Sequence, residues 1–107
     1  MSDVLAELAL LIRSRRTASG DTSYTRQLLD AGPEKCAKKF GEEAVETVIA
    51  GVSGEDAALK AEAADTLYHL LVLLEARNIA FDDVLAVLTG RMAQSGLQEK
   101  VQRRAPA

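Results

Sequence analysis

The sequence predicts an all-α fold, a small helical bundle completed by homodimerisation. Three observations lead there. Ala, Leu, Glu, Lys and Val dominate the composition, and these residues favour helix over sheet. Apolar residues recur at helical spacing in successive segments, and no stretch alternates for long enough to make a strand. Breakers such as Gly32-Pro33 and Gly54 fall between those segments. At 107 residues the chain is one domain, residues 1–107, with a modest core that gains from burying surface against a second copy.

The elements follow in order. Asp3 is an N-cap for a helix over residues 3–16, with Val4, Leu5, Leu8, Leu11 and Ile12 as its stripe. Arg13, Arg15 and Arg16 close it, as suits the negative end of a helix dipole. Residues 17–22 form a loop, and residues 23–30 a short helix ending at Gly32. Pro33 opens the next helix, which runs to about Gly51 and breaks at Val52-Ser53-Gly54. A helix over residues 55–77 stops at Asn78, and Asp82 caps a last one to about residue 94, ended by Ser95-Gly96. Residues 98–107 are a polar, frayed tail. Residues 67–74 are apolar around the whole helix circumference. This places helix 55–77 near a dimer two-fold axis, with Val72 and Leu73 in the interface.

Composition excludes several classes. A net charge of −3 lacks the basic excess of a nucleic-acid binder. No apolar run is long enough to span a membrane, and Met1-Ser2-Asp3 lacks the basic region of a signal peptide. The single Cys36 has no partner for an internal disulfide and makes no zinc motif, which suits a reducing cytoplasm. No P-loop pattern is present.

The informative residues are acids. At about 100° per residue, Glu42, Glu43 and Glu46 share one arc of their helix with Lys35 and Lys39. Ala37, Phe40, Ala44, Val45, Val48 and Ile49 take the other side. On the next helix Glu62, Asp65 and His69 lie close together amid apolar neighbours, where a carboxylate is costly unless paired or bound to a cation. Packed antiparallel, the two helices bring their acids to one divalent ion. Magnesium suits such a set, because it takes carboxylate, water and phosphate oxygens. A di-iron reading fails, since Glu62 is followed three residues later by Asp65 rather than His. His69 serves packing better than ligation, and Lys39 either reaches a phosphate or pairs with Glu43.

Glu42-Glu43-x-x-Glu46, followed by Glu62-x-x-Asp65, resembles the motif of the all-alpha nucleoside-triphosphate pyrophosphohydrolases, the MazG-like superfamily. Several segments in order are similar to its phosphoribosyl-ATP pyrophosphatase branch: Ser23-Tyr24-Thr25, Gly32-Pro33-Glu34-Lys35, Lys39-Phe40-Gly41-Glu42-Glu43-Ala44-Val45-Glu46, Ala64-Asp65-Thr66-Leu67-Tyr68-His69, and Ser95-Gly96-Leu97-Gln98. The resemblance covers about residues 4–104 and departs little, Phe40 standing where an aliphatic residue is more usual. It implies hydrolysis of phosphoribosyl-ATP to phosphoribosyl-AMP and pyrophosphate in histidine biosynthesis, with magnesium, a cytoplasmic location and a homodimer. It implies Glu43, Glu46, Glu62 and Asp65 as metal ligands, and Glu42 as a further ligand or the water-orienting base, leaving Glu42 and Glu43 as the catalytic pair. Lys39, Tyr24, Arg15 and Arg91 are candidate substrate contacts, with Arg16 beside Arg15. The alternatives are a MazG-like hydrolase of another nucleoside triphosphate and a non-enzymatic helical dimerisation module.

Overall fold

The computed structural model describes residues 3–17 and 23–94, and these form five helices with no strand among the described residues. They are α1 (Val4–Thr17), α2 (Tyr24–Ala31), α3 (Pro33–Ser53), α4 (Asp56–Ala76) and α5 (Phe81–Met92). The expected ends at Ser95-Gly96 and the tail over residues 98–107 lie outside the described residues.

Local chemistry sets the boundaries. The Asp3 carboxylate accepts from Ala6 N–H at 3.0 Å, capping α1, and Ser23 Oγ does the same for Arg26 N–H at 3.2 Å in α2. Gly32 has φ +97°, a value that side-chain-bearing residues rarely adopt. It both ends α2 and admits Pro33 at the first position of α3. Asn78, also at positive φ, turns the chain after α4. Arg16 fastens that turn. Its Nη1 donates to Asn78 Oδ1 at 3.1 Å, its Nη2 donates to the Glu75 carbonyl, and its Nε forms an ion pair with the Glu75 carboxylate at 2.9 Å. Asp82 does not cap α5. Ala80 occupies that position, and Asp82 sits in the first turn with Asp83, where both carboxylates favour the positive end of the helix dipole.

The core lies where α1, α2 and the start of α3 cover the C-terminal half of α4. Ile12, Leu28, Cys36, Leu71 and Val72 form it, with Leu5, Leu8, Ala9, Leu73, Leu74 and Phe81 packed around them. The inward stripe of α1 is therefore Leu5, Leu8, Ala9 and Ile12, while Val4 and Leu11 are exposed. Ile12 is fixed in this cluster at 1% exposure, so Ile12→Ala should cost about 2–5 kcal/mol, read as a lower urea midpoint. A cost below 1 kcal/mol would mean that the site collapses around the gap.

This packing corrects one expectation. Val72 is 0% exposed within a single chain, so its side chain is spent on the chain's own core and is not on a surface between copies, while Leu73 stays partly exposed. The helices α1, α2 and α3 bury Leu71 and Val72 and partly cover Leu70, Leu73 and Leu74, while Leu67 stays 43% exposed. More uncovered apolar surface lies elsewhere. Val45, Val48, Ile49 and Val52 make one exposed stripe along α3, and Leu85, Leu88 and Met92 another on α5.

Candidate active site

The helices α3 and α4 pack side by side as the closest pair in the fold. Two threonines set their register. Thr47 Oγ1 and Thr66 Oγ1 lie 2.7 Å apart. Thr47 Oγ1 is also 3.0 Å from the carbonyls of Glu43 and Glu62, and Thr66 Oγ1 is 3.0 Å from the Glu43 carbonyl. Two hydroxyl protons thus serve three acceptors across the interface, directly behind the acids. Reasoning from sequence missed this pair. Its signal is a threonine four residues after a glutamate on each helix, Glu43 with Thr47 and Glu62 with Thr66.

With that register fixed, oxygens of Glu43, Glu62 and Asp65 lie within 4.8 Å of one another. Glu43 and Glu62 are half-buried and Asp65 is exposed. The burial argued for Asp65 from its apolar neighbours does not hold: Leu71 and Val72 turn to the core, while Asp65 is exposed together with Ala64 and Leu67. What makes the site unusual is crowding. Partial burial, and after it the negative charges of Glu43, Asp65 and Glu46, push the Glu62 carboxyl above its ordinary value, and a hydrogen bond with Glu43 favours the protonated form further. Acids gathered this closely, all offering oxygen, fit a hard divalent cation.

A pH dependence follows. In metal-free protein Glu62 binds its proton more tightly folded than unfolded, so stability falls as pH rises through its folded value. In chelator, the wild type should melt progressively below Glu62→Gln as pH rises from about 4 to 7, with the gap closing at the acid end. Parallel melting curves across that range would show that the crowding has no energetic consequence.

The other predicted residues distribute unevenly. Glu46 is exposed, yet near enough for its charge to act on Glu62. Glu42 is exposed and lies outside the three-acid group. It is Glu42, not Glu43, that Lys39 approaches, at a loose 3.8 Å. Tyr24 and Lys39 do meet, lining a groove between α2 and α3 with Gln27, Leu28, Ala31 and Lys35. Arg15 lies in the last turn of α1, where its carbonyl accepts from Arg26 Nη1 at 3.4 Å, and Arg16 is committed to Glu75 and Asn78. Arg91 sits in the last turn of α5, a helix that joins the bundle through Phe81 at its start. Cys36 is buried, its thiol donating to the Leu28 carbonyl at 3.2 Å. Burial raises its pKa, so it is an inert packing residue.

Comparison with known proteins shows the family. Over 100 residues the chain is 54% identical to a phosphoribosyl-ATP pyrophosphatase of Ruegeria pomeroyi, covering 94% of this chain and 95% of that one. It is 58% identical over 98 residues to phosphoribosyl-ATP pyrophosphatase 1 of Bradyrhizobium diazoefficiens, covering 92% of each. It is 54% identical over 102 residues to a phosphoribosyl-ATP pyrophosphatase of Methylobacterium nodulans, covering 95% of each. The matched family profile spans residues 5–92, from the first core residue of α1 to the end of α5, and so takes in both acid-bearing helices: this chain belongs to the phosphoribosyl-ATP pyrophosphohydrolase family.

Proposed function

We propose that this protein hydrolyses phosphoribosyl-ATP to phosphoribosyl-AMP and pyrophosphate, a step of histidine biosynthesis, with magnesium held by its helix-borne acids. The observation that carries the metal assignment is the gathering of Glu43, Glu62 and Asp65 within 4.8 Å. Those three are ligands, and Glu46, whose charge acts on Glu62, completes the set. A bound magnesium ion would supply neutralisation of the phosphate charge and a more acidic water.

The chain's own residues do the rest. Thr47 and Thr66 hold α3 against α4 so that the acids stay converged without a cation to pull them together. Glu42, outside the three-acid group and exposed, orients the attacking water and takes its proton. Lys39 and Lys35 occupy the same arc of α3 one and two turns before Glu43, where their ammonium groups bind substrate phosphate oxygens. Tyr24 faces them across the groove.

Two further assignments belong to this reading. The exposed stripe of α3 is covered by a second copy of the chain, which makes the working unit a homodimer. The location is cytoplasmic, which suits the free thiol of Cys36; no described helix is long and apolar enough to cross a membrane. The test is pyrophosphate release by purified protein with magnesium, from phosphoribosyl-ATP and from a panel of nucleoside triphosphates. Release from phosphoribosyl-ATP alone is expected. Release from ordinary triphosphates but not from phosphoribosyl-ATP would overturn the assignment in favour of another substrate.

A further inference from the structure

His69 is the chain's one histidine and, among the described residues, its one buried polar side chain, yet the chemistry above gives it no task. Its Nδ1 lies 2.9 Å from the Asp65 carbonyl. A carbonyl oxygen only accepts, so Nδ1 carries the proton and Nε2 of the neutral ring carries a lone pair. That lone pair faces the Tyr24 hydroxyl at 3.4 Å, so the phenol donates to the imidazole. The Tyr68 ring packs edge-on against the imidazole, 4.9 Å between centroids and at 88°.

The consequence falls on Tyr24. Its hydroxyl is drawn inward to His69, while the side chain stays 49% exposed and lines the groove with Lys35 and Lys39. A ring fixed at one end and open to solvent on its face suits a base or a sugar, and the ammonium groups opposite suit phosphate. From Lys35 to Glu43 is eight residues of α3, about 12 Å along the axis, so a nucleotide anchored at the acids extends over this groove.

We propose that His69 is a positioning residue for substrate binding: by accepting the Tyr24 hydroxyl proton it holds the Tyr24 ring at the rim of the α2–α3 groove, against the non-reacting part of the nucleotide. This rests on the assignment of that groove to substrate made above. Contacts to a non-reacting part are made equally in the ground state and the transition state, so their loss raises KM and leaves kcat alone.

The experiment is a kinetic cycle on Tyr24→Phe, His69→Leu, their double variant and His69→Gln. The two single changes should each raise KM about tenfold with kcat changed by less than about twofold. The double variant should be no worse than the worse single one, because both break one linkage. His69→Gln, whose amide oxygen accepts the same proton, should bring KM back to within about threefold of the wild type. The rise in Tm caused by magnesium should be the same in all of them, since no ligand is altered. A purely structural histidine predicts lower melting temperatures with an unchanged KM. An unchanged KM in Tyr24→Phe, additive effects in the double variant, or a loss confined to kcat would each overturn the proposal. Should His69→Leu fail to fold, Tyr24→Phe decides alone. If the wild type acts on another nucleotide instead, the substrate assignment fails and the same cycle on that nucleotide still tests His69. If it acts on none, both fall.

Discussion

Asp65→Asn should leave the helical fold intact and lower pyrophosphate release by about three orders of magnitude at limiting magnesium. The change keeps nearly the same volume and removes one of three carboxylates that lie within 4.8 Å of each other. Asp65 is exposed, so its loss opens no cavity and strands no buried partner. Removing a negative charge from a crowded set should even raise the melting temperature slightly in chelator, for the reason that Glu62 holds its proton too tightly there. Two readouts therefore move in opposite directions, activity down and metal-free stability level or up. The stabilisation that magnesium gives the wild type, which grows with the logarithm of its concentration, should shrink or vanish in the variant. Near wild-type activity at limiting magnesium would remove Asp65 from the ligand set.

Val48→Lys should break the assembly. Val48 is 64% exposed in one chain and sits in the middle of the stripe formed with Val45, Ile49 and Val52. In a two-fold dimer built on that stripe, the substitution enters twice and places two ammonium groups in a dry contact. The penalty of about 3 kcal/mol or more per dimer raises the dissociation constant by two orders of magnitude or more. Sedimentation at micromolar concentration should show a dimer for the wild type and a helical monomer for the variant, with activity falling in step. Val72→Lys is the contrasting control. It buries a charge in the core of each chain, so it should abolish cooperative unfolding rather than release a folded monomer. A wild type that is monomeric and fully active at that concentration would show that the α3 stripe needs no cover.

The contrast between Val48 and Val72 shows where the sequence stopped informing. Both are valines on amphipathic or apolar helices, and helical periodicity assigns each to a face. Which face meets which helix depends on how α1 and α2 fold back, and that is a long-range matter. An apolar circumference over residues 67–74 reads the same whether the cover comes from helices of the same chain or from a second copy.

The sequence alone determined the helices, because their signals are local: the cap at Asp3, the Gly32-Pro33 junction, and stops at Gly54 and Asn78. It also named the candidate oxygen donors, Glu42, Glu43, Glu46, Glu62 and Asp65, because a carboxylate offers oxygen whatever its neighbours. Tertiary structure decided which of them converge. Glu43, Glu62 and Asp65 meet, and Glu42 stands aside with Lys39, because the Thr47–Thr66 contact sets one sliding register between α3 and α4 out of several that an acidic arc would allow. It also decided that Asp65 lies in solvent and that His69 reaches Tyr24, 45 residues away in sequence. Spacing within a helix fixes angles about its own axis. The depth and rotation at which two helices meet come from side chains on both, and so become visible only when the chain is folded.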